Sequence, residues 1–419
     1  MNILLKSARI VQPSQTDFHL ASFDILIKNG RIAKIAKSIS PEGSVRTVER
    51  ENLHVSLGWL DTSVCFGEPG FEERETLDNG MNTAAKSGFT DIILNPNTHP
   101  KPDTSSDIAY FVARSQNHLV NLHPMGCLTQ NSEGTALAEL FDMHNAGAVG
   151  FSDHKASLTN ANLLKIALLY AQNFEGLVLS FANDKAITNK GVAHEGEVST
   201  KLGLKGIPAL SESLQISRDL FLLEYTGGKL HIPTISTKES VALIAAAKKK
   251  GLDVSCSVAV HNLVFQDDRL MEFDSNTKCM PPLRSISDSK ALIKGVQNGT
   301  VDFVTSDHTP LDIEEKRVEF DHAAYGTIGL ESAFGSLIPV FGLETTITLL
   351  TKGHERFGIA KPELKEGAMA CMTLFDPNSE WTFDKDSIQS KSKNSMFLEQ
   401  RMQGKVLGVI HNDKVKLWN

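Results

Sequence analysis

The 419-residue chain has no long hydrophobic run, no basic run and no paired cysteine motif. No stretch reaches the roughly 18 apolar residues that a membrane helix requires. The opening segment MNILLKSARIVQPS reads as a strand followed by a turn and lacks the apolar stretch of a signal peptide. Lysine and arginine total 42 against 50 aspartates and glutamates, a formal net charge of −8. A mildly acidic chain without a basic patch is not expected to bind nucleic acid or an anionic membrane. The cysteines are five, widely spaced and without a CxxC: Cys65, Cys127, Cys256, Cys279 and Cys371. They read as reduced, mostly buried thiols of a cytoplasmic protein.

What is present is ordinary for a globular protein: 41% hydrophobic and 22% charged residues, in a chain long enough for a large core. Both ends read as β structure. Asp24–Lys28 and Arg31–Ile35 flank Asn29-Gly30, the residue pair a type I′ hairpin turn demands, since both positions need positive φ. Val406–Ile410 and Val415–Leu417 flank His411-Asn412-Asp413-Lys414 in the same way. The middle alternates short apolar runs with helical segments. Such runs are Gly88–Leu94, Gly147–Phe151, Gly176–Ser180, Leu230–Ile235, Leu252–Val258 and Val301–Thr305. Ser236-Thr237-Lys238-Glu239 reads as a capping box opening a helix that Gly251 ends. Buried strands separated by helices imply βαβ units and a parallel sheet. Seven or eight units over this length suit an α/β fold closed as a (β/α)₈ barrel. The expected division is 1–54 and 361–419 for a small sheet domain built from both termini, and 55–360 for the barrel. Chemistry in such a barrel sits just beyond the C-terminal ends of the strands.

The residues at those ends form an ordered set: Glu68-Pro69-Gly70-Phe71-Glu72, Asn95-Pro96-Asn97-Thr98, Phe151-Ser152-Asp153, His194-Glu195-Gly196-Glu197, Pro281-Pro282-Leu283-Arg284, Thr305-Ser306-Asp307-His308-Thr309-Pro310 and Tyr325–Glu331. In this order and spacing they resemble type I dihydroorotases of the amidohydrolase superfamily over nearly the whole chain. The resemblance implies a TIM-type barrel with a β-sandwich made from both termini. It also implies a zinc-dependent enzyme that interconverts N-carbamoyl-L-aspartate and L-dihydroorotate in pyrimidine biosynthesis, the metal polarising the amide and supplying hydroxide.

Carried over position by position, the family's ligand set is largely missing. Its H-x-H falls on Ser63 and Cys65, its fifth-strand histidine on Phe181 and its sixth-strand histidine on Thr234. The two aspartates remain, as Asp153 and Asp307. No two of the 14 histidines are separated by one residue, so no H-x-H elsewhere replaces the lost one. The arginine that clamps the substrate carboxylate falls on Gly67, a further histidine on Leu311 and an asparagine on Met280. The substrate-binding asparagine remains as Asn97. Cys65, Asp153 and Asp307 are the usable ligand types left, fewer than the four zinc prefers.

Three readings follow. The first is a pseudoenzyme that needs no cofactor, with Asp307 a catalytic remnant and Asn97 a vestige of the substrate site. It would associate with itself and serve as a structural partner of aspartate transcarbamoylase, as non-catalytic family members do. The second is an active dihydroorotase with a degenerate site, which would need zinc. The third is a metal-independent activity through Asp307 and Cys65. His261 and His308 read as hydrogen-bonded structural histidines.

Overall fold

The computed structural model describes residues 2–13, 17–41 and 43–418. Met1 and Ser14, at the ends of the opening strand-and-turn segment, lie outside them. The middle of the chain closes a parallel barrel. Trp59–Val64, Phe89–Leu94 and Asn121–Pro124 form one run of strands. Leu177–Leu179, Lys229–Ile232, Val254–Ala259 and Phe303–Thr305 form the other. Phe151 joins the two runs by bridging Gly126 and Val178, and Val64 bridges His308 to close the ring. The strand expected over Gly147–Phe151 is thus reduced to bridges at Phe151. Gly147, left-handed at φ 112°, is spent capping the helix Leu140–Ala146. Asn121–Pro124 gave no apolar signal because its Asn121 and His123 side chains bond Asp91 on the neighbouring strand.

Leu60, Ile93, Met125, Leu177, Leu179 and Phe303 fill the barrel interior, with Phe357 beside them. A larger apolar layer lies between the strands and the surrounding helices. Among the described residues no helix is long and apolar enough to cross a membrane.

The termini build one eight-stranded sheet. Its order is Lys414–Leu417, Arg401–His411, Met372–Thr382, His54–Leu57, Asn2–Ile10, Ser22–Lys28, Arg31–Ala36, with Arg46–Val48 paired to Asn2–Ile10. Ile3, Leu5, Ile25, Ile27, Val55, Met372, Leu374 and Ile410 form its core. Each such fully buried side chain contributes about 1.5–3 kcal/mol relative to exposure. The first hairpin turns at Asn29 and Gly30 (φ 49° and 72°), the last at Asn412 and Asp413 (φ 49° and 55°). Leu57 ends the last N-terminal strand of this sheet, Trp59 begins the barrel, and the sheet resumes at Met372.

Trp59 ties the two parts together. Its ring lies 4.7 Å from Phe334 and 5.8 Å from Phe375, and its indole N–H donates to Ser56 Oγ at 2.9 Å. The helix after the sixth strand, Lys238–Lys249, is capped by Thr237, whose hydroxyl accepts from Ser240 N–H. Ser236, the expected cap, is drawn away instead: its N–H and hydroxyl both go to the buried Glu212 carboxylate. Gly251 follows the helix with φ 83°, as expected of its position.

Candidate functional site at the barrel mouth

The strand ends converge on a polar patch centred on Asp307, just beyond the eighth strand. Asp307 is left-handed (φ 50°) and buried. Its Oδ1 accepts from the Ser63 hydroxyl at 3.3 Å, and its Oδ2 accepts from the Lys155 ammonium at 2.6 Å. Ser63 in turn accepts from the Asn95 amide at 2.9 Å. Cys65 Sγ lies 3.5 Å from His154 Nε2 and 3.8 Å from Asn95 Nδ2. Burial pushes the Cys65 thiol up to about 12, so it is not a thiolate nucleophile. His154 is held well below its ordinary value, first by burial and then by the nearby Lys155 charge, and is neutral.

Phe181 and Thr234 also line this space, with Met125, Leu179, His231, Pro233 and Ser257. The enclosed volume is about 10 Å³, room for about one water. Pockets that bind small molecules are at least about 300 Å³.

Not every residue read from the sequence reaches this patch. Asp153 is turned away. Its carboxylate accepts from Leu128 N–H (3.1 Å), Thr129 N–H (2.9 Å) and the Thr129 hydroxyl (2.6 Å), bracing the loop after the third strand. Burial raises its pKa and these bonds oppose the rise. The reason lies in the backbone: His154 is left-handed (φ 53°), so Asp153 and Lys155 do not share the orientation their spacing suggests. Asn97 lies outside the lining set, and its Oδ1 has no hydrogen-bond partner among the described residues. Asn95, two residues earlier, is the asparagine that enters the site.

The lost carboxylate clamp is closed off structurally. Gly67 has φ 100°, and a Cβ there would meet the Phe71 carbonyl at 2.7 Å, so no larger side chain fits this loop path. Leu311 is buried, its N–H held by Asn394 Oδ1 at 3.1 Å; Asn394 also donates to the Thr309 carbonyl at 3.0 Å. Met280 precedes Pro281 and is partly buried. The polar stretch 387–395 is thus fastened to the loop after the eighth strand. It is also pinned to Glu75, which takes Ser390 Oγ and Lys391 N–H, each at 2.9 Å.

The two histidines differ from each other. His308 Nδ1 accepts from Gly329 and Leu330 N–H at 3.2 and 3.4 Å, a structural bond as expected. His261 is equally buried, but neither ring nitrogen has a hydrogen-bond partner among the described residues. Burial lowers His308 to about 3 and His261 to about 4, so both are neutral.

These residues do not fit zinc at the barrel mouth. Among the described residues no three His, Cys, Asp or Glu ligand atoms converge there. The carboxylate that remains is already neutralised by an ammonium group. Lys155, His154 and Asn95 were missed by sequence reasoning. The run Ser152-Asp153-His154-Lys155 does hold three chemically capable side chains, but which of them faces inward depends on the φ of His154, which no pattern announces.

Comparison with known proteins supports the fold and the lineage. A family model described as dihydro-orotase-like matches residues 54–240. The chain is 36% identical to a protein named dihydroorotase from Geobacter metallireducens, covering 99% of each. It is 38% identical to one from Pelotomaculum thermopropionicum, covering 96% of each. Among solved structures, L-hydantoinase (dihydropyrimidinase) from Arthrobacter aurescens superposes with a TM-score of 0.86 at 22% identity, covering 100% of this chain and 97% of that one. D-hydantoinase from Thermus sp. gives 0.81 at 17% identity, covering 99% and 95%. At those identities the structures speak for the shared barrel-and-sandwich fold alone. The near-full-length identity to the two dihydroorotases, on that fold, establishes that the chain belongs to the dihydroorotase family.

Proposed function

We propose that this chain is a non-catalytic dihydroorotase relative that holds no metal at its barrel mouth and works as a structural partner in cytoplasmic pyrimidine biosynthesis. The observation that carries this reading is the Lys155–Asp307 pair. An internal ammonium sits 2.6 Å from the one family carboxylate still facing the mouth, with a side chain only 16% exposed. A fixed cation there balances the buried charge that a divalent ion would otherwise balance. The fold is kept while the mouth is narrowed to about one water, which suits a protein retained for its surface. Its five free, buried cysteines suit a reducing cytoplasm. Apolar side chains stand exposed on two outer helices: Ile166 and Leu169 on Ala161–Ala171, and Phe221 and Tyr225 on Ala209–Thr226. The two helices pack against each other, and it is a contiguous exposed apolar patch that marks an association surface. Aspartate transcarbamoylase is the partner the family resemblance implies, with self-association alongside it.

The test is to assay the purified chain for dihydroorotate hydrolysis and for the reverse cyclisation, with and without zinc, alone and with transcarbamoylase. No turnover, together with co-elution with transcarbamoylase, is the expected result. The 36–38% identity to proteins named dihydroorotase favours a second reading, an active enzyme with a degenerate site. Zinc-dependent turnover that disappears in Asp307→Asn would establish that reading and overturn the first.

A further inference from the structure

The opposite end of the barrel carries a ligand set that the mouth has lost. Asp91 lies on the second strand, Cys371 just before the strand Met372–Thr382, and His411 at the end of Arg401–His411. All three are buried, and their ligand atoms lie within 4.8 Å of one another. This is the N-terminal face of the barrel, where it meets the sheet built from the termini. We propose that Asp91, Cys371 and His411 form a structural zinc site that clips the barrel to the terminal sheet.

Each ligand is oriented as a metal site requires. His411 Nδ1 lies 2.9 Å from the Leu119 carbonyl. A carbonyl only accepts, so Nδ1 carries the proton and Nε2 keeps its lone pair, the metal-binding tautomer. Asp91 is pinned by three donors: Asn121 Nδ2 at 3.0 Å and His123 Nε2 at 2.9 Å on Oδ1, and the Thr90 hydroxyl at 2.9 Å on Oδ2. A carboxylate has about four acceptor positions, so one remains for a cation. Cys371 Sγ makes a contact of 3.4 Å with Thr90 Oγ1. A further imidazole is nearby. His354 is 2% exposed, neither of its ring nitrogens has a well-formed hydrogen bond among the described residues, and it feels the charge of Asp91. Its ring nitrogens are not among the converging ligand atoms, so a water takes the fourth position.

Zinc bonds of about 2.0–2.3 Å place tetrahedral ligand atoms about 3.5 Å apart, so the three draw in by about 1.3 Å at most. Binding takes Cys371 as thiolate and releases its proton to solvent. Cysteine, histidine and aspartate together suit zinc better than magnesium or calcium, which prefer all-oxygen shells. The site lies away from the strand ends where barrel enzymes do chemistry, so its purpose is to hold two parts of the fold together. The expectation that the chain needs no cofactor is thereby confined to the mouth.

The experiment uses the full chain, stripped with a chelator and titrated with cobalt(II), whose tetrahedral thiolate complexes absorb distinctively. Wild type should take up one equivalent with a sulfur-to-cobalt charge-transfer band and gain thermal stability. Cys371→Ser should lose the band. His411→Asn keeps a donor for the Leu119 carbonyl but removes Nε2, and should weaken binding by more than about 100-fold, the upper end for loss of an outer-shell partner. Cys65→Ser should keep both the band and the affinity. Circular dichroism and melting of the metal-free variants separate lost ligation from lost fold. Failure of wild type to bind cobalt, or binding unchanged in both Cys371→Ser and His411→Asn, overturns the proposal. Binding lost instead in Asp307→Asn overturns it too and puts the metal at the mouth, against the function proposed above.

Discussion

Lys155 and Asp307 form a pair whose members are not worth equal amounts singly and together. Lys155→Met leaves a buried carboxylate to which, among the described residues, only the Ser63 hydroxyl donates, and should cost about 3–5 kcal/mol in urea unfolding. Adding Asp307→Asn should return most of that loss. Purely additive losses would mean the pair is not coupled. A second residue-scale effect concerns acid. His231 bonds the Ser255 and Ser257 hydroxyls at 2.8 and 3.2 Å, and burial lowers it to about 3. The unfolded chain protonates this group below about pH 6.5. Between those values the unfolded state binds more protons, so this stabilisation is complete above pH 6.5 and is lost as pH falls towards 3. Wild type should therefore lose up to about 2 kcal/mol more than His231→Asn between pH 6.5 and 4.5. Equal slopes in the two proteins would contradict this. The identities at Ser63, Cys65, Phe181, Thr234 and Gly67 were readable because they replace residues at known places in an ordered set. The inward turn of Lys155 was not, since a single left-handed residue, His154, reverses which side chain faces the cavity.

Elements were legible wherever a local rule decided them. The Asn29-Gly30 hairpin and the glycine ending Lys238–Lys249 follow from backbone preference alone. The cap of that helix shifted by one residue because a distant group intervened. Glu212 takes Ser236, Thr237 and Ser240 and lies 3.8 Å from Arg284. Thr237→Ala should then cost about 1 kcal/mol in equilibrium unfolding, the usual loss of a cap. Glu212→Ala should cost several times more, since it strands a buried Arg284. Similar losses in both would show that Glu212 is not the organising group. The barrel strand ends allow a harder test. Restoring histidine at Ser63, Cys65, Phe181 and Thr234 together should not yield a zinc site at the mouth, because Lys155 still holds Asp307 and Asp153 still braces the Thr129 loop. Adding Lys155→Ala should be required before calorimetry detects zinc there. Tight zinc binding by the fourfold variant alone, lost again in Asp307→Asn, would show that Lys155 is no obstacle.

At the scale of the molecule, the alternation of strands and helices and the β-rich ends made the barrel and the terminal sheet legible. What they left hidden is how the two meet, because that seam joins residues far apart in the chain: Thr373 donates to the Gly88 carbonyl at 2.6 Å, and His411 reaches Leu119. Trp59 sits in this seam between Phe89, Phe334 and Phe375. Neither part can come undone without exposing that indole, so heat should melt the chain as one cooperative unit. Calorimetry should give a single peak, and the red shift of tryptophan emission should coincide with the loss of far-ultraviolet ellipticity. Two separated transitions would mean that the seam transmits nothing. Once Trp381 and Trp418 are replaced by phenylalanine, that indole becomes a built-in reporter: its fluorescence then reads the integrity of the whole from a single position.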